Sequence, residues 1–433
     1  MSLVLPPTEA RGPATGVRKR VAIVSHGFYP SVGGSERYHL FTARALQEVA
    51  EVRVFTSELN LPFDHRSGRG PKDAAAAAGV PVDYLGSTSI AGEKFVLPWL
   101  LWGHLRRFAP DLIWTNQPSP TGASAQAFAR LNRIPWVATY HADIGVEPRW
   151  HRYYQSVEDR LLRRAAHVLV TSAHYREKLS TRGVNPDRVS VVPTGPYIGD
   201  GHPPVAGGTG VAGDARPGAG HPIIFLGALD PAHSYKRVDL LLSAVAELQR
   251  RGTAIHLELV GDGPWKGRYE TLSEELGLSE RVRFLGRVPD GSLAERLNEA
   301  WALVLPAITD AEGFGTSAVE AIHYGCPVVT STAVPCSELL DAYHCGLVYR
   351  ADEPGALAGA LQRLWTEPAL RAQLSIGART AARELEWGSL MPRILAPVRA
   401  LLFGGETPSP DPPGEPGGHV APGGAATSRE PRS

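Results

Sequence analysis

Trp301-Ala302-Leu303-Val304-Leu305-Pro306 is followed, after a short connection, by Glu312-Gly313-Phe314-Gly315-Thr316-Ser317-Ala318-Val319-Glu320. The first run reads as a buried strand, and the second opens a helix whose apolar pattern includes Val319 and Ile322. This strand–loop–helix puts Glu312 in the loop at the strand's carboxyl end. Gly313 and Gly315 let the backbone approach a ligand closely. Free N–H groups near Gly315, Thr316 and Ser317 begin the helix and favour an anion. Glu320, in the first turns, can accept hydrogen bonds from a hydroxyl-rich ligand. Acceptors at both ends with donors between them are the layout a sugar–diphosphate–ribose would need.

Outward from this stretch, short apolar runs alternate with helical periodicity. The first half offers Val52–Phe55, Leu112–Trp114, Trp136–Thr139 and Val168–Val170 as strands, after a first strand at Val21–Val24. The second half offers Ile223–Leu226, His256–Val260, Val282–Leu285, Ala302–Leu305 and Pro327–Val329. The helix after Lys236 carries Val238, Leu241, Leu242, Val245 and Leu248, a one-sided stripe. Such alternation predicts an α/β protein with two Rossmann-like, doubly wound parallel sheets, one per half, whose ligands lie beyond the strands' carboxyl ends in a central cleft.

At 433 residues the chain is too long for one ordinary core. The expected organisation is a disordered leader (1–18), a first domain (19–198), a Gly/Pro-rich linker (199–221), a second domain (222–388), a C-terminal helix packing back on the first domain (389–403) and a disordered tail (404–433). Lys plus Arg and Asp plus Glu are 44 each, which argues against nucleic acid as a partner. Cys326, Cys336 and Cys345 lack metal-ligand clustering and suggest a reducing compartment. With neither a signal-type apolar region at the amino terminus nor a run of about 18 apolar residues, a cytoplasmic location is expected.

Other constellations carry candidate chemistry, each with a structural alternative. Phe28 to Arg37 follows the first strand; Gly33 and Gly34 suit a phosphate or sugar pressed on the backbone, or simply a tight turn, with Ser35 as N-cap. His141, in Thr139-Tyr140-His141-Ala142-Asp143, stands past a strand end, where it could meet a sugar hydroxyl or a leaving phosphate, or be structural. Lys236 precedes an amphipathic helix and could reach an anion in the cleft, or be a solvated helix-start lysine; Arg237 beside it reads more as surface. Gly261-Asp262-Gly263-Pro264 lacks the full dinucleotide spacing and reads as a turn. The loop at Gly286-Arg287-Val288-Pro289 could present backbone groups to a nucleobase.

Taken together, these segments resemble the retaining, nucleotide-sugar-dependent glycosyltransferases of the GT-B fold, family 4. The resemblance runs from Val21 to Leu402. It is carried by the E-x7-E element Glu312–Glu320 with Ala321-Ile322-His323-Tyr324-Gly325-Cys326-Pro327, by Gly33-Gly34, Tyr140–Ile144, Val192-Pro193-Thr194-Gly195, Gly261–Pro264, Phe284-Leu285-Gly286 and Glu386-Trp387. It implies a donor-binding second domain and an acceptor-side first domain. Lys236 would neutralise the diphosphate, and backbone N–H groups from Phe314 through Gly315 and Thr316 to Ser317 would hold phosphate oxygens. Glu312 would bind the sugar hydroxyls, Glu320 the ribose, Gly33 and Gly34 the donor phosphate or the acceptor. His141 would sit near the reacting carbon, and the backbone at Arg287 and Val288 near the base. His141, Lys236 and Glu312 are thus the catalytic candidates. The sequence departs from the family's pattern at Ala228, where the family usually carries an arginine; Arg237 or His233 would have to compensate, or Lys236 act alone.

The implied reaction moves a hexose from UDP- or GDP-hexose to a hydroxyl of a glycan, lipid-linked or small-molecule acceptor, with retention. No D-x-D triplet is present, so no metal and no other cofactor is expected. An epimerase of the same fold and a non-catalytic sugar-nucleotide-binding module remain as alternatives; a nicotinamide enzyme would need a complete glycine fingerprint. Phe95 to Arg107 combines aromatics, leucines and arginines, which fits either a helix packed on a sheet or peripheral contact with the inner face of a membrane.

Overall fold

The structure, a computed structural model, describes residues 18–30, 34–60, 79–90, 93–116, 119–142, 148–197, 217–218 and 220–405. The expected leader apart from Arg18, most of the linker, the tail beyond 405, and Gly33, Asp143 and Ile144 lie outside the described residues.

The first lobe runs β1 (Arg20–Ser25), α1 (Gly34–Leu46), β2 (Glu51–Ser57), β3 (Val82–Leu85), β4 (Ser87–Ile90), β5 (Glu93–Val96), α2 (Pro98–Phe108), β6 (Leu112–Asn116), α3 (Pro120–Leu131), β7 (Trp136–Tyr140), α4 (Pro148–Leu162), β8 (His167–Val170), α5 (Ala173–Thr181) and β9 (Val189–Val191). The second runs β10 (Ile223–Leu226), α6 (Val238–Arg250), β11 (Leu257–Val260), α7 (Lys266–Glu275), β12 (Val282–Gly286), α8 (Asp290–Glu299), β13 (Ala302–Leu305), α9 (Thr316–His323), β14 (Val328–Ser331), α10 (Ser337–Tyr343), β15 (Gly346–Tyr349), α11 (Ala356–Thr366) and α12 (Pro368–Leu385), and α13 (Trp387–Phe403) ends the described chain.

Two parallel sheets result, ordered β3-β2-β1-β6-β7-β8-β9 and β12-β11-β10-β13-β14-β15. The central strands are buried on both faces, which explains their unbroken apolar runs. On β1, Val21 and Ile23 enter one core and Ala22 and Val24 the other. On β13, Ala302 and Val304 face one side and Leu303 and Leu305 the opposite one. The stripe read after Lys236 is buried on α6 in full. Each sheet reverses its strand order between its first and fourth strands, β1 and β6 in one, β10 and β13 in the other. Ligands of doubly wound sheets bind at such switch points.

The expected strands are present, but sequence reading missed the sheet edges β3, β9 and β15 and the antiparallel hairpin of β4 with β5. The edge runs are short and interrupted: Asp83, Ser190 and Gly346 break them.

The last helix crosses back. Trp387, Leu390, Met391, Ile394, Leu395, Val398 and Leu402 recur at helical spacing and pack with Val21, Tyr38 and Phe41 of the first lobe. Phe41 and Trp387 stack with centroids 4.8 Å apart, and the Trp387 indole N–H donates to Pro196 O at 2.7 Å. No helix among the described residues is long and apolar enough to cross a membrane. On α2, Leu101, Leu105 and Phe108 are buried against the sheet while Trp99 is exposed.

Candidate active site between the lobes

The loops after β10 and β13 build one wall of a cleft. Asp230 accepts from the His233 N–H (3.0 Å) and starts a 3₁₀ segment, Pro231–Lys236. The segment ends because Arg237 turns left-handed (φ 50°), so Lys236 and Arg237 point apart. The Lys236 ammonium meets both carboxylate oxygens of Glu312, at 2.7 and 2.6 Å. Glu312 closes a single 3₁₀ turn, Asp310–Glu312, and its side chain is 4% exposed. These residues, 76 positions apart in sequence, therefore form a buried ion pair.

Beside the pair lies the start of α9. Gly315 occupies its N-cap at φ 86°, and a Cβ there would come within 2.9 Å of Leu305 Cδ2, so side-chain-bearing residues fit poorly. The N–H groups of Thr316 and Ser317 face the cleft end of the helix without intrahelical acceptors. Glu320, one turn on, is buried, and its Oε1 accepts from the Tyr197 N–H at 2.7 Å.

The first lobe supplies the opposite wall. α1 begins at Gly34, so Ser35 lies inside its first turn rather than at the N-cap, and its hydroxyl donates to Glu36 at 3.0 Å. The lobes touch here: a Cβ on Gly34 would lie 3.0 Å from Thr316 Cγ2. Tyr197 ties the two together, its hydroxyl donating to Gly34 O at 2.7 Å while its N–H serves Glu320. His141 follows β7 and packs edge-on against Tyr38 (5.0 Å) and His39 (5.6 Å). Burial first, then repulsion from His39 and His26, pushes its pKa down to about 3, so the ring is neutral and offers one donor and one acceptor.

A cavity of about 440 Å³ fills the space between the walls. Gly34, His141, Lys236 and Glu312 line it, as do Phe314, Thr316, Ser317 and Glu320; Gly315 stands just behind, as the cap. Three polar atoms around it, His141 Nε2, Thr194 Oγ1 and Ser317 Oγ, are buried with no hydrogen-bond partner among the described residues. Buried polar groups are normally paired, and these three stand unpaired beside the cavity.

Three of the positions named from sequence are placed differently from Lys236 and Glu312. Arg237 is turned away, bound to Asp239 (2.9 Å) and lining a separate cavity with Tyr349 and Asp352. Arg287 and Val288 do not line the cleft cavity; they sit at the end of β12, and Asp290, at the start of α8, is the nearby residue that does. Of the proposed substitutes at the Ala228 position, His233 does reach the cavity, but its Nδ1 is bonded to Asp230 at 2.9 Å. Gly261 and Gly263 serve packing, as a turn: Cβ atoms there would fall 1.8 Å from Gly227 O and 2.3 Å from Leu229 O. The cavity also recruits Arg37, Thr194, Tyr197 and Asp290, to which the sequence reading gave no role. Arg37 closes the Phe28–Arg37 segment and Thr194 stands in Val192-Pro193-Thr194-Gly195, whereas Tyr197 and Asp290 carried no local signal.

Among the described residues, no group of three His, Cys, Asp or Glu side chains is arranged to hold a metal ion. Two family models match: glycosyltransferase family 4 over residues 32–196, and glycosyl transferases group 1 over residues 217–381. The chain is 27% identical over 277 residues to D-rhamnosyltransferase WbpZ of Pseudomonas aeruginosa, covering 64% of this chain and 69% of that protein. It is 27% identical over 352 residues to the phosphatidyl-myo-inositol mannosyltransferase of Mycobacterium leprae, covering 76% and 84%. Among solved structures, Anabaena Alr3699/HepE in complex with UDP superposes with a TM-score of 0.69 at 18% identity, covering 88% of this chain and all of that one.

Proposed function

The chain belongs to the family 4 glycosyltransferases of the GT-B fold, and from that premise we propose that it moves a hexose from UDP- or GDP-hexose to a hydroxyl of a glycan, glycolipid or small-molecule acceptor, with retention and without a metal. The observation that carries this reading is the buried Lys236–Glu312 pair beside the amino end of α9, inside a cavity bounded by both lobes.

Departure of a nucleoside diphosphate leaves charge on phosphate oxygens and an oxocarbenium-like sugar. Lys236 and the amides of Thr316 and Ser317 would take up the phosphate charge, preorganised where the Lys236 side chain is already largely buried. Donor binding would then draw the ammonium from Glu312 toward phosphate, leaving the carboxylate to accept from sugar hydroxyls. Glu320, whose Oε1 accepts from the Tyr197 N–H, would accept from a ribose hydroxyl when the donor binds. Neutral His141 would donate to the sugar or to the leaving oxygen. Attack on the same face, with the acceptor proton passing to the departing phosphate, forms the new C–O bond as the old one breaks and requires no protein nucleophile. The relatives' names, a rhamnosyl- and a mannosyltransferase, support a hexose donor; the UDP complex of the structural neighbour supports a nucleotide in the cleft.

The test is a screen of UDP-, GDP- and dTDP-hexoses with glycan and lipid-linked acceptors, with anomeric configuration read by NMR and a parallel arm in chelator. Transfer with retention, unchanged by chelator, is expected. An inverted product, or activity only with added Mn²⁺ or Mg²⁺, contradicts the corresponding part of the proposal.

A further inference from the structure

The fixed charges lining the cleft cavity are poorly suited to an anion if Lys236 is the sole cation. Lys236 is opposed at contact distance by Glu312, and Glu320 and Asp290 also line the space. A nucleoside diphosphate adds further negative charge, and like charges in a partly desolvated cleft repel strongly. Arg237 is turned away and His233 is bonded to Asp230. One other permanently charged cation lines the cavity among the described residues: Arg37.

Its position suits the task. Arg37 lies three residues after Gly34 on α1, hence on the same helix face about 4.5 Å farther along. Gly34 is where the first lobe touches Thr316 at the amino end of α9. The guanidinium stands over the Tyr197 ring (5.8 Å), the residue that bonds both Gly34 and Glu320. Its ion-pair partner, Asp290, is 4.0 Å away and 58% exposed, so the pairing is weak and readily exchanged. A planar guanidinium fork matches phosphate oxygens.

We infer that Arg37 is a donor-binding residue that contacts the diphosphate from the first lobe, completing across the cleft the cationic grip that Lys236 begins from the second. This rests on the reading of the cleft as a nucleotide-sugar site. It also couples the two lobes to the donor, since a ligand held on α9 would draw α1 toward it.

The test is calorimetric binding of UDP and UMP, or of GDP and GMP, to the full chain in the absence of acceptor. The variants are Arg37→Met, Arg37→Lys and Arg37→Met with Ala228→Arg. Arg37→Met should weaken the diphosphate about tenfold or more, the size of a lost charge-assisted contact, and the monophosphate by less than about threefold. Arg37→Lys should fall between, and Ala228→Arg, entering the same cavity from the other lobe, should recover most of the loss. UDP affinity within about twofold of wild type in Arg37→Met overturns the assignment, as it would if Arg37 met a phosphate on the acceptor instead. Equal loss of di- and monophosphate overturns it in favour of a packing role. If the wild-type chain binds neither nucleotide pair, the underlying reading of the cleft falls too, an outcome distinct from an indifferent Arg37 variant.

Discussion

Lys236 rests against both oxygens of Glu312 in a cleft where the pair is nearly sealed from solvent. Removing one partner leaves the other buried and uncompensated, which costs roughly 3–5 kcal/mol, whereas removing both can be nearly neutral. Lys236→Met and Glu312→Gln should therefore each lower the melting temperature more than the double variant does, while all three lose at least about 10²-fold in kcat/KM. Additive stability losses, or wild-type turnover in either single variant, would contradict the pairing or the mechanism respectively. Three histidines give a separate residue-scale prediction. Burial holds His39 and His167 at about 4, and burial with its neighbours holds His141 at about 3. The unfolded chain protonates them near 6.5 while the native chain does not, so stability is full above that pH and falls as pH drops from about 6.5 towards 4, by up to ~1.4 kcal/mol per pH unit for each histidine. Melting temperature measured from pH 7.5 to 5 should fall on the acid side, and His39→Gln should flatten the slope by about one proton. A flat profile refutes it. Lys236 and Glu312 could each be singled out in sequence because each sits in a local motif, but their pairing could not; Arg37 and Thr194 lie in singled-out segments without a role and Tyr197 in none, since chain topology alone brings Arg37 and Tyr197 beside residues more than a hundred positions away.

At the scale of elements, legibility followed burial. Strands covered on both faces read as unbroken apolar runs, so β1, β6, β7, β10, β13 and β14 were readable from composition, whereas the edge strands β3, β9 and β15 mix polar residues or glycine into short runs. The loop before α9 was readable for another reason: its glycines fall where the backbone must turn. Two helix caps separate strain from packing there. Gly315 (φ 86°) and Gly355 (φ 78°, before α11) both adopt left-handed conformations. A Cβ at Gly315 meets Leu305 at 2.9 Å and Cys336 Sγ at 3.1 Å, while one at Gly355 meets nothing within 4 Å. Gly355→Ala should therefore cost about 1–2 kcal/mol and leave kcat/KM unchanged. Gly315→Ala should cost more and, by displacing the Thr316 and Ser317 amides, lower donor affinity as well. Chemical denaturation and nucleotide titration of both variants decide it; equal effects would mean that the α9 cap does not shape the anion seat.

For the molecule as a whole, the question is what holds the lobes at this separation. Besides α13 and Tyr197, the lobes are bridged at the rim away from α1. The Asp310 carboxylate pairs with Lys178 and His174 of α5, the Tyr175 hydroxyl donates to Asp310 O (2.9 Å), and Glu338 of α10 accepts the N–H groups of Ala173 (2.9 Å) and His174 (2.7 Å), capping α5 from across the cleft. Bonds from His174 and Lys178 outweigh burial and hold the Asp310 carboxyl well below the usual range. Asp310 lies two residues before Glu312, and Tyr175 packs on Tyr140, the residue before His141, so one latch fixes both walls of the site. Lobe closure of this kind shifts with contacts made in only one state. Asp310→Asn combined with Glu338→Gln should lengthen and broaden interlobe distances measured between paired labels, and lower kcat/KM about tenfold, the scale of a few partly exposed contacts of ~0.5 kcal/mol each. UDP affinity should fall by less than in Arg37→Met, because the proposed nucleotide seat lies mainly on the second lobe and only the Arg37 contact is loosened. Lys178→Asp with Asp310→Lys should restore the distances and part of the activity, which a variant damaged merely in folding would not do. Unchanged distances in the first variant would show that the contacts at α13, Tyr197 and α1 set the separation without this latch.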